Sequence, residues 1–416
     1  MFIERSTRRI RFARTFFVLA GLLPCAAVVA WAVHLRSTAH REALRLQWQT
    51  ALGIPLEVEA VEHPRPGVVR ALGCRLGAAD GSRLDVPRVE VETTPDEVRL
   101  RIERFVCDVA AARMLGEVAA DWLDRGARYP SDCVVEIADF AWQSAPPAAP
   151  LGLRVECVAR DADRAIRVVR PDPRQSGGDE VRIVRSAAST GMPVDRIEAQ
   201  VAWAEKIPVA IATALVRMPA PPVGAQAAIS GTVHAIRDVA GWSGTATASA
   251  TDLDLAACTA GLQSRATGTA TAVVRRLAWS ESRVRDAEIE CTAGRGRVEQ
   301  RLLDGLVGTV GCRPGPAHRS LSGATERPFD AAGCLLRVDA RGIELLSGPS
   351  LGGGLVVADG LSLIDPPGAV LPPTRLAWLL APAGAVYVPS GGPGAWLLDV
   401  LPRSDSAARS GRPGEF

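Results

Sequence analysis

Lysine is almost missing from this chain: of its 48 basic residues, only Lys206 is not an arginine. Because 46 acidic residues are interspersed among them, the net charge is only +2. Outside the N-terminus there is no strong electrostatic footprint for nucleic acid, and the arginine excess reads as base-composition bias, not phosphate recognition. Aromatic residues are scarce as well, at 5%, with two tyrosines and eight phenylalanines. Ala, Val, Leu and Gly dominate, so the expected core is built from small and branched side chains, with nine tryptophans as scattered anchors. Hydrophobic residues make up 47%, which excludes a globally disordered chain.

Motifs of catalysis and metal binding are missing too. The nine cysteines are Cys25, Cys74, Cys107, Cys133, Cys157, Cys258, Cys291, Cys312 and Cys334, all more than twenty residues from one another. No CxxC or zinc knuckle is present. The histidines, His34, His40, His63, His234 and His318, form no HExxH or other ligand spacing. A GxSxG nucleophile elbow is absent. Ser347-Gly348-Pro349-Ser350 and Gly352-Gly353-Gly354 read as loops, not as phosphate cradles, which join a strand to a helix and carry Lys. The acidic dyads Asp161 with Asp163 and Asp252 with Asp254 lack a third ligand and read as turn caps or wet-face strand residues. No catalytic, cofactor-binding or metal-ligating residue is assigned, no cofactor is expected, and the chain is not read as an enzyme.

Only one uncharged apolar run reaches membrane-spanning length, at residues 15–33. Its length is close to the roughly 20 residues that carry a helix across a bilayer core. Arg5, Arg8, Arg9, Arg11 and Arg14 precede it, opposed only by Glu4. The positive-inside rule puts that cluster on the cytoplasmic side and residues 34–416 outside it. Ala30-Trp31-Ala32 fits a small-residue cleavage site, but the run exceeds the h-region of about 7–15 residues typical of signal peptides. Pro24 also fits poorly before a lipoprotein-type Cys25. The run is therefore read as an uncleaved signal anchor.

After it, Leu44, Trp48 and Leu52 recur at helical spacing, and Gly53 and Pro55 supply a stop, predicting an amphipathic extension of the membrane helix. A long series of alternating segments follows. Leu56, Val58 and Ala60 alternate with Glu57 and Glu59, and a turn at Asp80-Gly81 leads to Val89-Glu90-Val91-Glu92. Val98, Leu100 and Ile102, then Leu151, Leu153, Val155 and Cys157, then Ile197, Ala199, Val201 and Trp203 continue the pattern. Period-2 alternation marks antiparallel sheet with one wet face and one buried or lipidic face. Helices are expected only at 110–125, with Leu115, Val118 and Trp122 on its inner face, and at 207–217, 255–263 and 299–307. Segments 145–150, 171–179 and 313–328 read as loops. Many cysteines fall at inward strand positions, where a thiol acts as a small hydrophobe; an oxidising compartment would permit up to four disulfides among the eight outside the anchor.

The predicted fold is mainly β with a few short helices: a transmembrane helix followed by an extended, curved antiparallel β-groove or sheet. The divisions are a basic tail (1–14), the anchor (15–33), an amphipathic connector (34–53), a β-rich region (54–204), a second one (205–312), a Gly/Pro-rich β tail (313–402) and a disordered C-terminus (403–416). If the strands curl into a trough, their apolar faces shield acyl chains, at about 0.8 kcal/mol per buried CH₂. If the faces pack on each other, they form a β-sandwich core. Periodicity does not choose between these, but the shortage of large aromatics favours a wall of small residues.

The layout resembles the AsmA-like family of envelope proteins. The resemblance lies in the anchor, in Leu52-Gly53-Ile54-Pro55-Leu56-Glu57-Val58, in the strand 69–76 with the turn Ala79-Asp80-Gly81-Ser82, and in Val89-Glu90-Val91-Glu92. Farther on it lies in 244–255, 268–279, 284–291 and in Gly296 leading to Leu302-Leu303. It covers the anchor, about 50–105 and about 230–310. It implies an inner-membrane-anchored, single-pass protein with its body in the periplasm, contacting membrane lipids and serving lipid transport or outer-membrane assembly. About fifteen strands at roughly 4.8 Å each make a groove on the order of 70 Å, short for an envelope, so other envelope proteins are expected partners. The alternative is a structural or adaptor protein that binds a partner by β-augmentation.

Overall fold

The computed structural model describes residues 7–52, 55–77, 83–94, 97–124, 132–143, 151–160, 163–170, 178–186, 195–262, 264–320, 325–379 and 393–401. Gly53, the turn at Asp80-Gly81, Asp161, the segment 145–150, most of 171–179 and the tail 403–416 lie outside these residues. The chain divides into two compact units, Met1–Phe105 with Ser131–Asp139 and Val106–Pro130 with Phe140–Phe416. The boundary expected at 204/205 falls inside a strand, Arg196–Pro208.

The first unit begins with α1 (Thr7–Phe17), a π-helical turn (Val18–Leu22) and α2 (Leu23–Leu35) in succession. Residues Arg11–Leu35 form a helix long and apolar enough to cross a membrane, and none of its apolar stretch is buried against protein. Pro24, which lacks an N–H to donate to the preceding turn, sits just after the π-helical turn, where the helix adjusts its hydrogen bonding. The helix stops at Arg36. There the Ser37 hydroxyl donates to the His34 carbonyl (2.6 Å) and accepts from the His40 N–H (3.2 Å), capping a new helix, α3 (Thr38–Leu52). The connector is thus a separate capped helix and not an extension of the anchor.

Arginines fix α3 to the first strand, β1 (Leu56–Arg65). Arg41 donates to the Glu59 carbonyl (2.8 Å) and Arg45 to the Leu56 carbonyl (3.1 Å). β1, β2 (Val68–Gly77), β3 (Arg83–Thr93) and β4 (Glu97–Cys107) follow one another as an antiparallel meander. Leu56, Ala71, Cys74, Leu84, Val86 and Val91 are buried along it, the apolar half of the alternating pattern. A fifth strand, β5, is Asp132–Trp142.

The second unit opens with α4 (Val109–Asp124), whose N-terminus is held by the Asp108 carboxylate accepting from the Ala111 N–H (2.7 Å). Its buried residues are Ala111, Ala112, Met114, Trp122 and Leu123, while Leu115 is exposed. The buried face is therefore rotated from the one expected, because Ala and apolar residues on both sides of this helix leave its stripe ambiguous. Strands β6 (Leu151–Arg160), β7 (Asp163–Val169), β8 (Glu180–Ser186), β9 (Arg196–Pro208), β10 (Ala228–Asp238) and β11 (Gly241–Asp254) pair in chain order, all antiparallel. A short helix, α5 (Val209–Leu215), separates β9 from β10, and α6 (Leu255–Thr259) follows β11.

Next come β12 (Ala266–Thr267), β13 (Thr269–Ser280), β14 (Arg283–Ala293) and β15 (Gly296–Glu299), then α7 (Gln300–Gly305) running into a π-helical turn, Leu306–Val310. The segment expected as a loop, 313–328, is not one among the described residues. It holds β16 (Arg313–Pro314), α8 (Pro316–Ser320) and the start of β17 (Glu326–Phe329). Arg327, 1% exposed, ties these pieces together by donating to the carbonyls of Ala317 (3.2 Å) and His318 (3.0 Å). The unit closes with β18 (Ala331–Asp339), β19 (Gly342–Ser347), β20 (Val356–Ala358), β21 (Leu361–Asp365), α9 (Pro373–Leu379) and α10 (Pro393–Val400). β13 pairs with β11 and β14, and β18 joins β14 to β19, while β12, β15 and β17 form a separate small sheet. No described pairing joins β19 back to β6, so the main sheet of this unit is open. The described residues hold twenty-one strands, more than the fifteen expected, because short pairings in the C-terminal part are invisible to alternation.

Candidate functional site

Strand register turns the alternating sequence into continuous rows. Val155, Val168, Val181, Val201, Val233, Ala246, Leu277, Ala287, Val338 and Ile343 stand opposite one another in turn, one from each of ten strands. Beside that row runs a second of Cys157, Ile166, Ile183, Ala199, Ala235, Gly244, Trp279 and Val284. On its other side Trp203, Gly231, Ala248, Val274, Ile289, Leu336 and Leu345 form a third. The residues between the first two rows point to the opposite face: Glu156, Arg167, Arg182, Gln200, His234, Thr245, Ala278 and Asp286. One face is thus apolar across the strands and the other polar.

The polar face is solvated. Arg167 pairs with Glu180 (2.8 Å), Arg276 with Asp286 (2.7 Å) and His234 with Glu198 (3.1 Å), and Thr232 with Thr247 share a hydroxyl bond of 2.8 Å. These exposed pairs contribute little stability each. A bulge opposite Thr247 lets Arg275 and Arg276 both reach acidic partners on this face. At the ends of β7 to β9, Arg170 bridges Asp179 (2.9 Å) and Glu205, and the Asp179 carboxylate accepts from the Ala204 N–H (2.7 Å). Burial raises the Glu205 carboxyl, against the opposing pull of Arg170.

The apolar face is covered at its two ends and left half-buried and uncovered between them, except at Trp203 (5%) and Ala235 (8%), which are buried. At one end Trp122 and Leu123 of α4 sit on Val155, Cys157, Ile166, Val168 and Ile183. Arg164 adds a cation–π contact over the Trp122 ring (5.3 Å). At the other end the C-terminal elements bury Ala287, Val338 and Ile343, with Leu303, Val310 and Leu363 fully inside. Among the described residues, neither cluster includes Val181, Val201, Val233, Ala246, Ala248 or Val274, and all six are half-buried. A packed sandwich core would bury the row throughout, as at Val338 (2%) and Ile343 (0%). From β8 to β13 the uncovered strip crosses four strand spacings, roughly 19 Å at about 4.8 Å each. Small side chains line it, and Gly244 is required in it: a Cβ there would lie 2.7 Å from the Trp279 ring, which rests against the strand.

On the opposite, polar face of the same strands lies a hollow of about 440 Å³, bordered by the side chains of Gln200, Thr232, His234, Thr245, Thr247 and Arg276. The strip and hollow were not legible as residues in the sequence, because register, not alternation, decides which strands line up.

The residues singled out in the sequence do other work. Asp254 caps α6 by accepting from the Ala256 N–H (2.8 Å), and Asp252, at φ 59°, accepts from the Thr251 hydroxyl (2.9 Å) and faces Lys206 (3.9 Å). Ser347 donates to the Gly354 carbonyl (2.6 Å), closing the glycine turn. Among the described residues no group of three or more His, Cys, Asp and Glu side chains is arranged to hold a metal ion.

The structure does bring together three histidines that are scattered in sequence. Rings of Trp31, His34, His40 and His63 follow one another at centroid distances of 6.1, 5.3 and 5.1 Å, linking the end of the apolar helix to β1. The Nε2 atoms of His40 and His63 are 3.1 Å apart, a bond that requires one to donate and the other to accept. Burial, then the neighbouring His63 and His34 rings, holds the His40 pKa below its ordinary value of 6.5. A histidine with a lowered folded pKa stabilises the fold above its unfolded value, and that contribution is lost as pH falls below about 6.5. In an NMR titration of the full chain, His40 is expected to titrate below that value, and His63→Ala to move its midpoint upward; a wild-type midpoint at or above about 6.5 would contradict the stacking.

Comparison with protein-family models, with curated proteins and with solved structures finds no match to this chain.

Proposed function

We propose that this is a non-enzymatic, membrane-anchored protein of the cell envelope whose open sheet contacts lipid acyl chains. In this reading the helix Arg11–Leu35 crosses the inner membrane once, the arginine cluster stays in the cytoplasm and the β body stands in the periplasm. The role belongs with lipid transport or outer-membrane assembly, in keeping with the AsmA-like resemblance. One observation carries it: an apolar strip of small residues, half-buried, lies between two fully packed clusters and belongs to the same chain as a membrane-length helix. Each methylene laid on such a strip gains about 0.8 kcal/mol over water, and a bed of alanine, valine and glycine accepts a flexible chain without a shaped pocket.

The test is labelling of the full chain in its membrane with a phospholipid that carries a photoreactive diazirine on one acyl chain. Adducts are expected on peptides from β9, β10, β11 and β13 as well as on the anchor. Adducts confined to the anchor would overturn the reading.

A further inference from the structure

We propose that Cys291 and Cys334 are the two halves of a cross-strand disulfide that closes when the β body meets a disulfide-bearing oxidant. The two residues stand directly opposite each other where β14 pairs with β18, on the apolar face, in the same row as Ala250 and Ala272. Directly opposed residues of an antiparallel pair have Cα atoms about 4.5–5.5 Å apart, within the span a disulfide bridges. No backbone movement is needed, only rotation of two side chains. Both are thiols in this structure, as are the other seven cysteines, and both are partly accessible, so an oxidant reaches them.

Three of the other seven cysteines differ. Cys74, Cys107 and Cys312 are buried, and burial pushes their thiols up to about 11, about 12 and about 11. Such thiols are inert hydrophobes. At the pair, the Cys334 S–H donates to the Cys291 sulfur, which lowers Cys291 and raises Cys334. Cys291 is taken as the attacking thiolate, and attack by Cys334 first would form the same bond.

The chemistry balances as two exchanges. Cys291 thiolate attacks one sulfur of the oxidant, breaking its S–S bond and releasing one thiolate. Cys334, losing its proton to solvent, then attacks the Cys291 sulfur of the mixed disulfide and releases the second thiolate. Two protein thiols are oxidised and one small disulfide is reduced to two thiols. The bond closes the loop from 291 to 334, which contains β15, α7, β16, α8 and β17, and so pins the C-terminal cluster to the sheet beside the uncovered strip.

The test treats the detergent-extracted full chain with glutathione disulfide, traps free thiols with N-ethylmaleimide and maps peptides without reduction. The expected result is one linked peptide pair holding Cys291 and Cys334, with a melting temperature about 5 °C above that of the reduced chain. In Cys334→Ser, Cys291 is expected to stop at the glutathione mixed disulfide and the rise to vanish. Recovery of both cysteines alkylated, linkage of Cys291 to Cys258, or a linked pair with no rise in melting temperature would each overturn the proposal. Compartment decides only where the oxidant comes from, so failure here leaves the lipid reading standing, and adducts confined to the anchor leave this pair standing.

Discussion

The substitution Ala246→Arg is expected to reduce acyl-chain labelling of β9 to β13 at least about tenfold, while labelling of the anchor helix stays unchanged. Ala246 lies within the uncovered strip, opposite Val233 on one side and Leu277 on the other. It is half-buried and belongs to neither apolar cluster, so the guanidinium can bend toward water along its aliphatic stem and the fold is kept. A hydrocarbon chain lying over it must either desolvate the charge or leave the surface. Desolvating an unpaired charge costs several kcal/mol. Leaving the surface over only two methylenes forfeits about 1.6 kcal/mol, already a factor of more than ten. The matched control is Thr245→Arg, one residue away on the polar face opposite His234, where the same charge is expected to leave labelling intact. Equal loss in both variants, or loss in neither, would sink the acyl-chain reading, and the anchor adducts serve as the internal standard.

How far the sequence reaches can be judged from the same strands. Ile197, Ala199, Val201 and Trp203 alternate so regularly that strand, period and inner face follow from the residues alone, and β9 carries them as expected. The apolar helix is equally plain, since length and composition decide it. Local signals fail where pairing partners supply the structure. Arg313 and Pro314 are exposed and look like loop, yet β21 supplies backbone partners that make them strand. Leu115 looked like an inner residue of α4, but Ala111, Ala112 and Met114 pack there instead, because small residues let a helix approach closer on that side.

The candidate site is less legible than the fold, for a physical reason. A strip of half-buried alanines differs from a buried core only in what lies above it, and that is set by elements far away in the chain. Val233 and Val338 have the same side chain in the same row, and the second is covered by residues around 303–364 while the first is not. The Cys291–Cys334 opposition and the contact of His63 with His40 likewise come from register and docking across tens of residues. No spacing rule contains them.

The covering helix α4 gives the other large expected effect, with a sign that distinguishes packing from propensity. Alanine in place of a glycine inside an exposed helix ordinarily stabilises by about 0.5–1 kcal/mol. At Gly116 the opposite is expected. A Cβ there would lie 2.3 Å from the Leu215 carbonyl oxygen at the end of α5 and 3.1 Å from its carbon, and both are backbone atoms that cannot swing aside. The two helices must separate by close to an ångström. α5 is held by buried Ile211 and Ala214, so α4 is the element that moves, and it carries Trp122 and Leu123 away from Ile166. Overpacking of this kind costs about 1–3 kcal/mol, which exceeds the gain in helix propensity. Gly116→Ala should therefore lower stability by about 1–2 kcal/mol, and Gly116→Val by about 3 kcal/mol or more, a fall of roughly 5 °C in melting temperature. Hydrogen exchange should quicken in α4, β6 and β7 and stay slow in β14 and β18, which pack against the other cluster. A stabilising Gly116→Ala would show that α4 rests loosely on α5. The expected loss, accompanied by acyl-chain adducts extending onto β6 and β7, would show that α4 sets where the uncovered strip begins.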